Sequence, residues 1–247
     1  MRVAYSYFTG TKNAGDISSC PRLYFDLPDG PEIRIGRLIE DVDAVIYGGG
    51  AISDALGRVS VRCDAGIKIA WGGGSTLRNE AWPTPRPRGF DLYGSRDFIR
   101  GEAFDWVPCV SCMSPLFDRP ARIEREAVLF FNADPDIERP DIDLPEMAND
   151  RPLAEIIRFI GSAEAVVTNS YHGAYWATLL GRKAVIVGAY STKFRFYRHQ
   201  PMVCDGREWE LEAKVAPVYP SALADCRRAN TEFYGQVRSA LGLQAAA

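Results

Sequence analysis

The chain has two histidines, and one of them stands where an acid–base catalyst would. His172 follows a short β-branched run at residues 165–167 and then Thr168, Asn169 and Ser170, three small polar residues that can cap a helix. Ala174, Ala177, Thr178 and Leu180 continue as helix, Gly181 suits a left-handed stop, and residues 184–187 read as the next buried strand. The stretch is strand, tight turn, helix, strand. It sets His172 in the first helical turn at the carboxyl end of a strand, the edge where open α/β sheets bind ligands. A histidine there can also be a packed residue bonded to backbone. The neighbouring Asn169, Ser170, Tyr171 and Gly173 form a polar cluster inside an apolar unit, which favours chemistry. The helix N-terminus lowers the pKa of such a ring, and a bound phosphate or carboxylate raises it again. That response suits general acid catalysis on an anionic donor.

Other groups converge on the same kind of edge. Gly48-Gly49-Gly50 and Gly72-Gly73-Gly74-Ser75 each follow a buried strand, and Asn13-Ala14-Gly15-Asp16 follows the first strand. Glycine turns there can bring backbone N–H groups close to an anion. Neither triplet is a P-loop or a full dinucleotide fingerprint, and each taken alone also reads as a structural turn. Three such loops on one edge point to a ligand cleft. Lys193, Arg195 and Arg198 alternate with Phe194, Phe196 and Tyr197. Two readings stand: an anion clamp, or a solvated basic loop over an aromatic anchor. Arg96-Asp97 reads first as an ion pair holding a turn and second as a ligand contact. His199 reads as a surface residue. Cys109 and Cys112 have redox or half-zinc spacing without a second pair, so ordinary reduced thiols are expected.

Strands are expected at 3–8, 43–47, 67–71, 92–97, 104–107, 128–131, 165–167 and 184–187. Helices are expected at 35–39, 153–160 and 222–241, the last following a short segment at 209–215 and folding back over the body, with residues 244–247 frayed. Proline-rich residues 132–151 read as one long loop. Repetition of strand, loop and helix argues for an α/β fold with parallel sheets. The expected arrangement is two Rossmann-like halves facing a cleft, residues 1–120 and 121–247, with one continuous sheet as the alternative. A net charge of -3 with scattered basic residues excludes a nucleic-acid stripe. No apolar run approaches the ~20 residues of a membrane span, and no secretory leader is evident at Met1. The expectation is a cytoplasmic protein acting at the inner membrane face through a partner.

Taken in order, Asn13-Ala14-Gly15-Asp16, Asp43 through Gly50, Gly72 through Ser75, Ser95-Arg96-Asp97, Thr168 through Gly173, Gly181 through Ile186 and Lys193 resemble the polysaccharide pyruvyl transferase family. The likeness runs from about Val3 to Lys193. It implies a fold similar to two-domain GT-B glycosyltransferases, residues 1–120 serving the acceptor and 121–247 the donor. It also implies transfer of a pyruvyl group from phosphoenolpyruvate, a co-substrate, to two hydroxyls of a glycan or lipid-linked sugar, a precursor of cell-surface or exopolysaccharide. His172 would be the proton donor and Asp16 the base. Asn13, Gly15, the two glycine turns with Ser75, Arg96, Asn169, Ser170, Tyr171, Lys193 and Arg195 would bind substrate. No metal or cofactor is implied. Many members carry arginine where this chain has Ser170, so Lys193, Arg195 or Arg96 would supply the charge. One alternative is a nucleotide-sugar glycosyltransferase using Glu208 or Glu210 for ribose. Another is a non-catalytic glycan binder stacking sugars on Tyr5, Tyr7, Trp82, Tyr175 or Trp176.

Overall fold

The computed structural model describes residues 1–50, 52, 63–75, 88–99 and 105–243. Trp82, Phe104 and residues 244–247 lie outside the described residues. Sixteen elements position the site. In the first half they are β1 (Val3–Tyr7), α1 (Ala14–Ile17), β2 (Glu32–Arg34), β3 (Ala44–Tyr47), β4 (Ile67–Gly73), β5 (Leu92–Ser95) and β6 (Asp105–Trp106). In the second they are β7 (Arg125–Phe131), β8 (Glu146–Ala148), α2 (Leu153–Gly161), β9 (Ala163–Thr168), α3 (Tyr171–Leu179), β10 (Lys183–Val187), β11 (Met202–Cys204), α4 (Trp209–Val215) and α5 (Ala222–Ala240).

The fold is α/β with two parallel sheets, the two Rossmann-like halves expected. One sheet has strand order β2-β1-β3-β4-β5-β6 and the other β11-β10-β9-β7-β8. The central strands β1, β3 and β9 are short, apolar and buried on both faces, as parallel strands covered on each side must be. Each sheet has one switch point. From β1 the chain runs outward to β2 and returns to β3 on the other side of β1. From β7 it runs to β8 and returns to β9 on the other side of β7. The crevices beyond the carboxyl ends of β1/β3 and of β7/β9 are the places where open α/β sheets bind ligands.

Two local expectations fail. Residues 35–39 are not helical. Ile33 extends alongside β1, Gly36 takes φ 86° to turn the chain, and Ile39 forms a lone bridge to Cys63. Residues 132–151 are not all loop, because β8 pairs with β7 in register Leu129 with Glu146. A three-residue strand leaves too little periodicity to detect.

The division at 120/121 separates the sheets, and packing crosses it. Cys109, Cys112 and Phe117 join the core of the second half with Val128, Ile156 and Trp176. Phe233, Val237 and Leu241 on and beside α5 cover Val3, Tyr5, Ile46 and Trp71 of the first sheet. Trp71 Nε1 donates to Asn230 Oδ1 at 2.8 Å and its ring meets Phe233 edge-on at 5.1 Å. The facing edges are also joined by backbone: Ala14 N donates to Asn149 O and Phe98 N to Phe196 O, each at 2.8 Å.

Candidate functional site

Ser170 caps α3, its Oγ accepting from Gly173 N at 3.4 Å, while Ser170 N donates to Thr168 Oγ1 at 2.9 Å. Every residue of α3 is buried, so this helix is apolar all round and lies inside the molecule. His172 sits in its first turn, as the spacing requires. Its ring packs on Tyr171 edge-on and beside Trp176, with Nε2 3.4 Å from Cys109 Sγ.

Across the seam, α1 brings its loop onto the ring. Asn13 caps α1, accepting from Gly15 N at 3.0 Å. A β-carbon at Gly15 would fall 2.0 Å from His172 Nδ1, so only glycine permits this approach. Asp16, half-buried, is next in the chain, its carboxylate close to Gly50. Gly74 makes room in the same way, since a β-carbon there would fall 2.2 Å from Arg96 Nε. Arg96 is 2 % exposed, lies 3.8 Å over the Tyr171 ring, and its Nε and Nη2 find no hydrogen-bond partner among the described residues. Burying such a cation with an unused donor edge costs free energy unless an anion meets it.

Burial sets the protonation states. Burial holds the His172 ring well below its ordinary pKa of 6.5, and the positive charges of Arg96 and Lys193 push the same way. Burial also pushes the Asp16 carboxyl up to about 6, against the pull of Arg96 and Lys193. Two titratable groups displaced in opposite directions at one seam are the pattern of an acid–base site. The same pair of cations acts on both groups.

The expected site residues divide into three sets. Gly15, Asp16, Arg96, Tyr171, His172 and Lys193 come together. Asn13, Asn169 and Ser170 hold the scaffold: Asn169 Oδ1 accepts from Asn132 N and its Nδ2 donates to Glu138 O, both at 2.8 Å. The glycine turns do not offer the N–H cradle expected of them. Gly48 N donates to Ser6 O at 2.9 Å, Gly49 N to Ser19 O at 3.4 Å and Gly74 N to Gly50 O at 2.9 Å. Gly72 and Gly73 lie within β4, and Gly73 bridges Gly50. Their contribution is space and register. Ser75 is buried and donates its N–H to Asp97 Oδ2 at 2.7 Å. Asp97 holds the Ser75 turn while Arg96 lies over the Tyr171 ring.

The basic segment rests on aromatic rings, as its second reading expects. Lys193 lies in a 3-10 turn (Thr192–Arg195), donates to Tyr190 Oη at 2.6 Å and stacks over the Tyr190 and Phe194 rings. Arg195 is exposed on the same turn, and Arg198 lies over Trp106. His199 is not a surface residue. It is half-buried, with Nε2 3.2 Å from Asp225 Oδ2. Cys109 and Cys112 are free buried thiols, and burial pushes the Cys109 thiol up. Among the described residues, no group of three or more His, Cys, Asp or Glu side chains is arranged to hold a metal ion.

Four contributors were not expected at the site. Asn132, Asn149 and Tyr190 form a polar net: Asn132 Nδ2 donates to Tyr190 Oη at 3.1 Å and Asn149 Nδ2 to Asn132 Oδ1 at 3.0 Å. Asn132 directly follows a core strand, so the rule that found His172 also finds it. Cys109 meets His172 from 63 residues away, and no local pattern encodes that.

Beyond Tyr190 the carboxyl edge of the second sheet opens into a cleft of about 830 Å³. It is lined by the acids Asp136, Glu138, Asp141, Asp143, Asp205 and Glu210, with Arg207 and Trp209. Its other arginine, Arg139, bonds Glu146.

No protein-family model matches the chain, and no curated protein matches it. Among solved structures, the chain is similar to an uncharacterized protein from Klebsiella pneumoniae at 17% identity and a TM-score of 0.48, covering 78% of this chain and 85% of that one. Among the described residues, no helix is long and apolar enough to cross a membrane.

Proposed function

We propose that the protein is a pyruvyl transferase that takes phosphoenolpyruvate as donor and forms a cyclic pyruvate ketal on a sugar. The observation that carries this reading is Arg96, a buried guanidinium with an unused donor edge beside a neutral histidine. The donor carries a phosphate and a carboxylate. Arg96 and Lys193 complement that charge, and its arrival raises the depressed His172 pKa toward protonation. His172 then protonates the methylene carbon, leaving a cationic centre at C2. One sugar hydroxyl adds to C2 and gives up its proton, with Asp16 as base. The C2–O bond to phosphate breaks, and the second hydroxyl closes the ketal as it loses its own proton. Atoms balance: one hydroxyl proton replaces the proton placed on carbon, and the other leaves with phosphate.

The acid-lined cleft, which lies in the half expected to serve the donor and not in residues 1–120, supports a sugar bound there. Carboxylates accept hydrogen bonds from hydroxyls, and Trp209 offers a face for stacking. The same carboxylates repel a nucleoside diphosphate, which counts against the nucleotide-sugar alternative; Glu210 lines this cleft and Glu208 precedes α4. Tyr5, Tyr7, Tyr175 and Trp176 are core residues, which removes the stacking platform that a non-catalytic glycan binder would draw from them.

The test is thermal unfolding with phosphoenolpyruvate, inorganic phosphate and nucleotide-sugars. At a hundredfold excess over Kd, a ligand adds about 2.7 kcal/mol, or roughly 5–10 °C in Tm for a chain of this size. A shift with phosphoenolpyruvate that Arg96→Met abolishes is expected. A shift with nucleotide-sugars alone overturns the reading.

A further inference from the structure

We infer that Cys109 is a positioning residue that sets the tautomer of His172: the thiol donates to Nε2, so the neutral ring carries its proton on Nδ1, the edge facing Gly15. The direction follows from a group that can only donate. Trp176 Nε1 lies 3.0 Å from Ser111 Oγ, and an indole N–H has no acceptor role. Ser111 Oγ therefore accepts, and its single proton goes to Cys109 Sγ at 3.3 Å. The sulfur, already accepting, directs its own proton to His172 Nε2 at 3.4 Å. A neutral imidazole has one donor nitrogen and one acceptor nitrogen, so an accepting Nε2 leaves the proton on Nδ1.

The relay is built into the fold. His172, Tyr175 and Trp176 share one face of α3 through their i, i+3 and i+4 spacing. All three grip the Cys109–Ser111 segment, with Tyr175 Oη donating to Cys109 O at 2.9 Å. Trp176, Ser111 and Cys109 are fully buried, so water does not compete for these contacts. A carboxylate in place of Cys109 would hold the ring as an imidazolium. A neutral thiol orients the ring and leaves it uncharged until an anion arrives. Protonation then places a hydrogen on Nε2, and the thiol must turn its S–H away and accept instead.

Nitrogen NMR of protein labelled at its histidines tests this directly, without any assay of turnover, so its failure is distinguishable from failure of the pyruvyl-transfer reading. His199 serves as an internal opposite, because its Nε2 faces the Asp225 carboxylate and carries the proton. His172 should show an unprotonated, pyridine-type Nε2 and a protonated, pyrrole-type Nδ1. A pyrrole-type Nε2 in neutral His172 overturns the inference. Cys109→Ala should give a tautomer mixture with both nitrogens at intermediate shifts, and Cys109→Ser, which keeps a donor, should restore the wild-type pattern. An alanine variant with the wild-type pattern also overturns it. Where Cys109→Ala does not fold, Ser111→Ala takes its place, with partial loss of the tautomer preference expected and an unchanged pattern counting against the relay.

Discussion

The carboxyl edge of the second sheet presents two neighbouring regions with opposite physics. At the β7/β9 switch point, His172, Arg96 and Cys109 are buried, the fixed charge is positive, and desolvation drives the ring neutral. Beyond Tyr190, the cleft is open and lined by six acids. Burial changes the protonation of the groups it encloses, whereas an open cleft keeps its charges and selects ligands by sign. The proposed reaction, with one anionic and one polyhydroxylic substrate, would draw on both regions.

The sharpest way to break this contrast is His172→Gln. It should cost roughly 10²–10⁴ in kcat, the usual worth of a general acid, with the fold intact by circular dichroism. Near-normal turnover would remove the buried region from the chemistry. Arg96→Met should lower kcat/KM for the donor by about 10–100-fold, the loss of one or two hydrogen bonds to a charged group, and leave KM for the sugar unchanged. An equal loss for both substrates would mean that the two regions are not separate sites. Gly15→Ala pushes a β-carbon into the ring. It should destabilise by about 1–3 kcal/mol in urea unfolding, as overpacking does, while a glycine with open space around it, Gly235 in α5, should gain stability on the same substitution.

Acidity separates the two titrating groups. The folded His172 resists protonation, so between its folded pKa and 6.5 the unfolded chain binds more protons, and stability falls as pH drops through that window. Asp16 works the other way. Its folded carboxyl takes up a proton at about 6, ahead of its ordinary 3.8, so acidification through that range favours the fold. Denaturant titrations from about pH 7 to about pH 5 should show His172→Gln losing less stability on acidification than wild type and Asp16→Asn losing more, each differing from wild type by at most about 1.4 kcal/mol per pH unit. The smallest effect belongs to the open region. Asp141→Asn with Asp143→Asn should raise KM for the sugar about threefold, a fraction of a charged hydrogen bond's worth, and leave the donor's KM unaltered. A change in donor binding would merge the two regions.

The sequence revealed the parts of this site that obey local rules. Strand, cap and first helical turn put His172 at a carboxyl edge because β-branched runs and small polar caps act within a few residues. Asp16 stood out as part of a polar loop after the first strand, and Lys193 through the alternation of basic and aromatic residues. The glycine turns were legible in place and not in purpose, since an N–H cradle and a space-making turn have the same composition. Hydrogen bonds to Ser6, Ser19 and Gly50 carbonyls, distant or formed between turns, decide between them. Cys109, Asn149 and the Tyr171 face under Arg96 come from tertiary meeting points, which composition does not encode. β8 and the turn at residues 35–39 were misread because short segments give periodicity little to work with.

The helix α5 has a consequence for how the chain is made. The first sheet's apolar face, from Val3 and Tyr5 to Trp71, is covered by Phe233 and Val237, and the Trp71–Asn230 bond spans 159 residues. On the ribosome, β1 through β6 emerge long before the residues that cover them. The nascent first half must wait with that face bare, or lean on a chaperone, while the second half is synthesised. Vectorial, half-by-half maturation is therefore closed to this protein, and a release pause before α5 should raise its aggregation more than one after it.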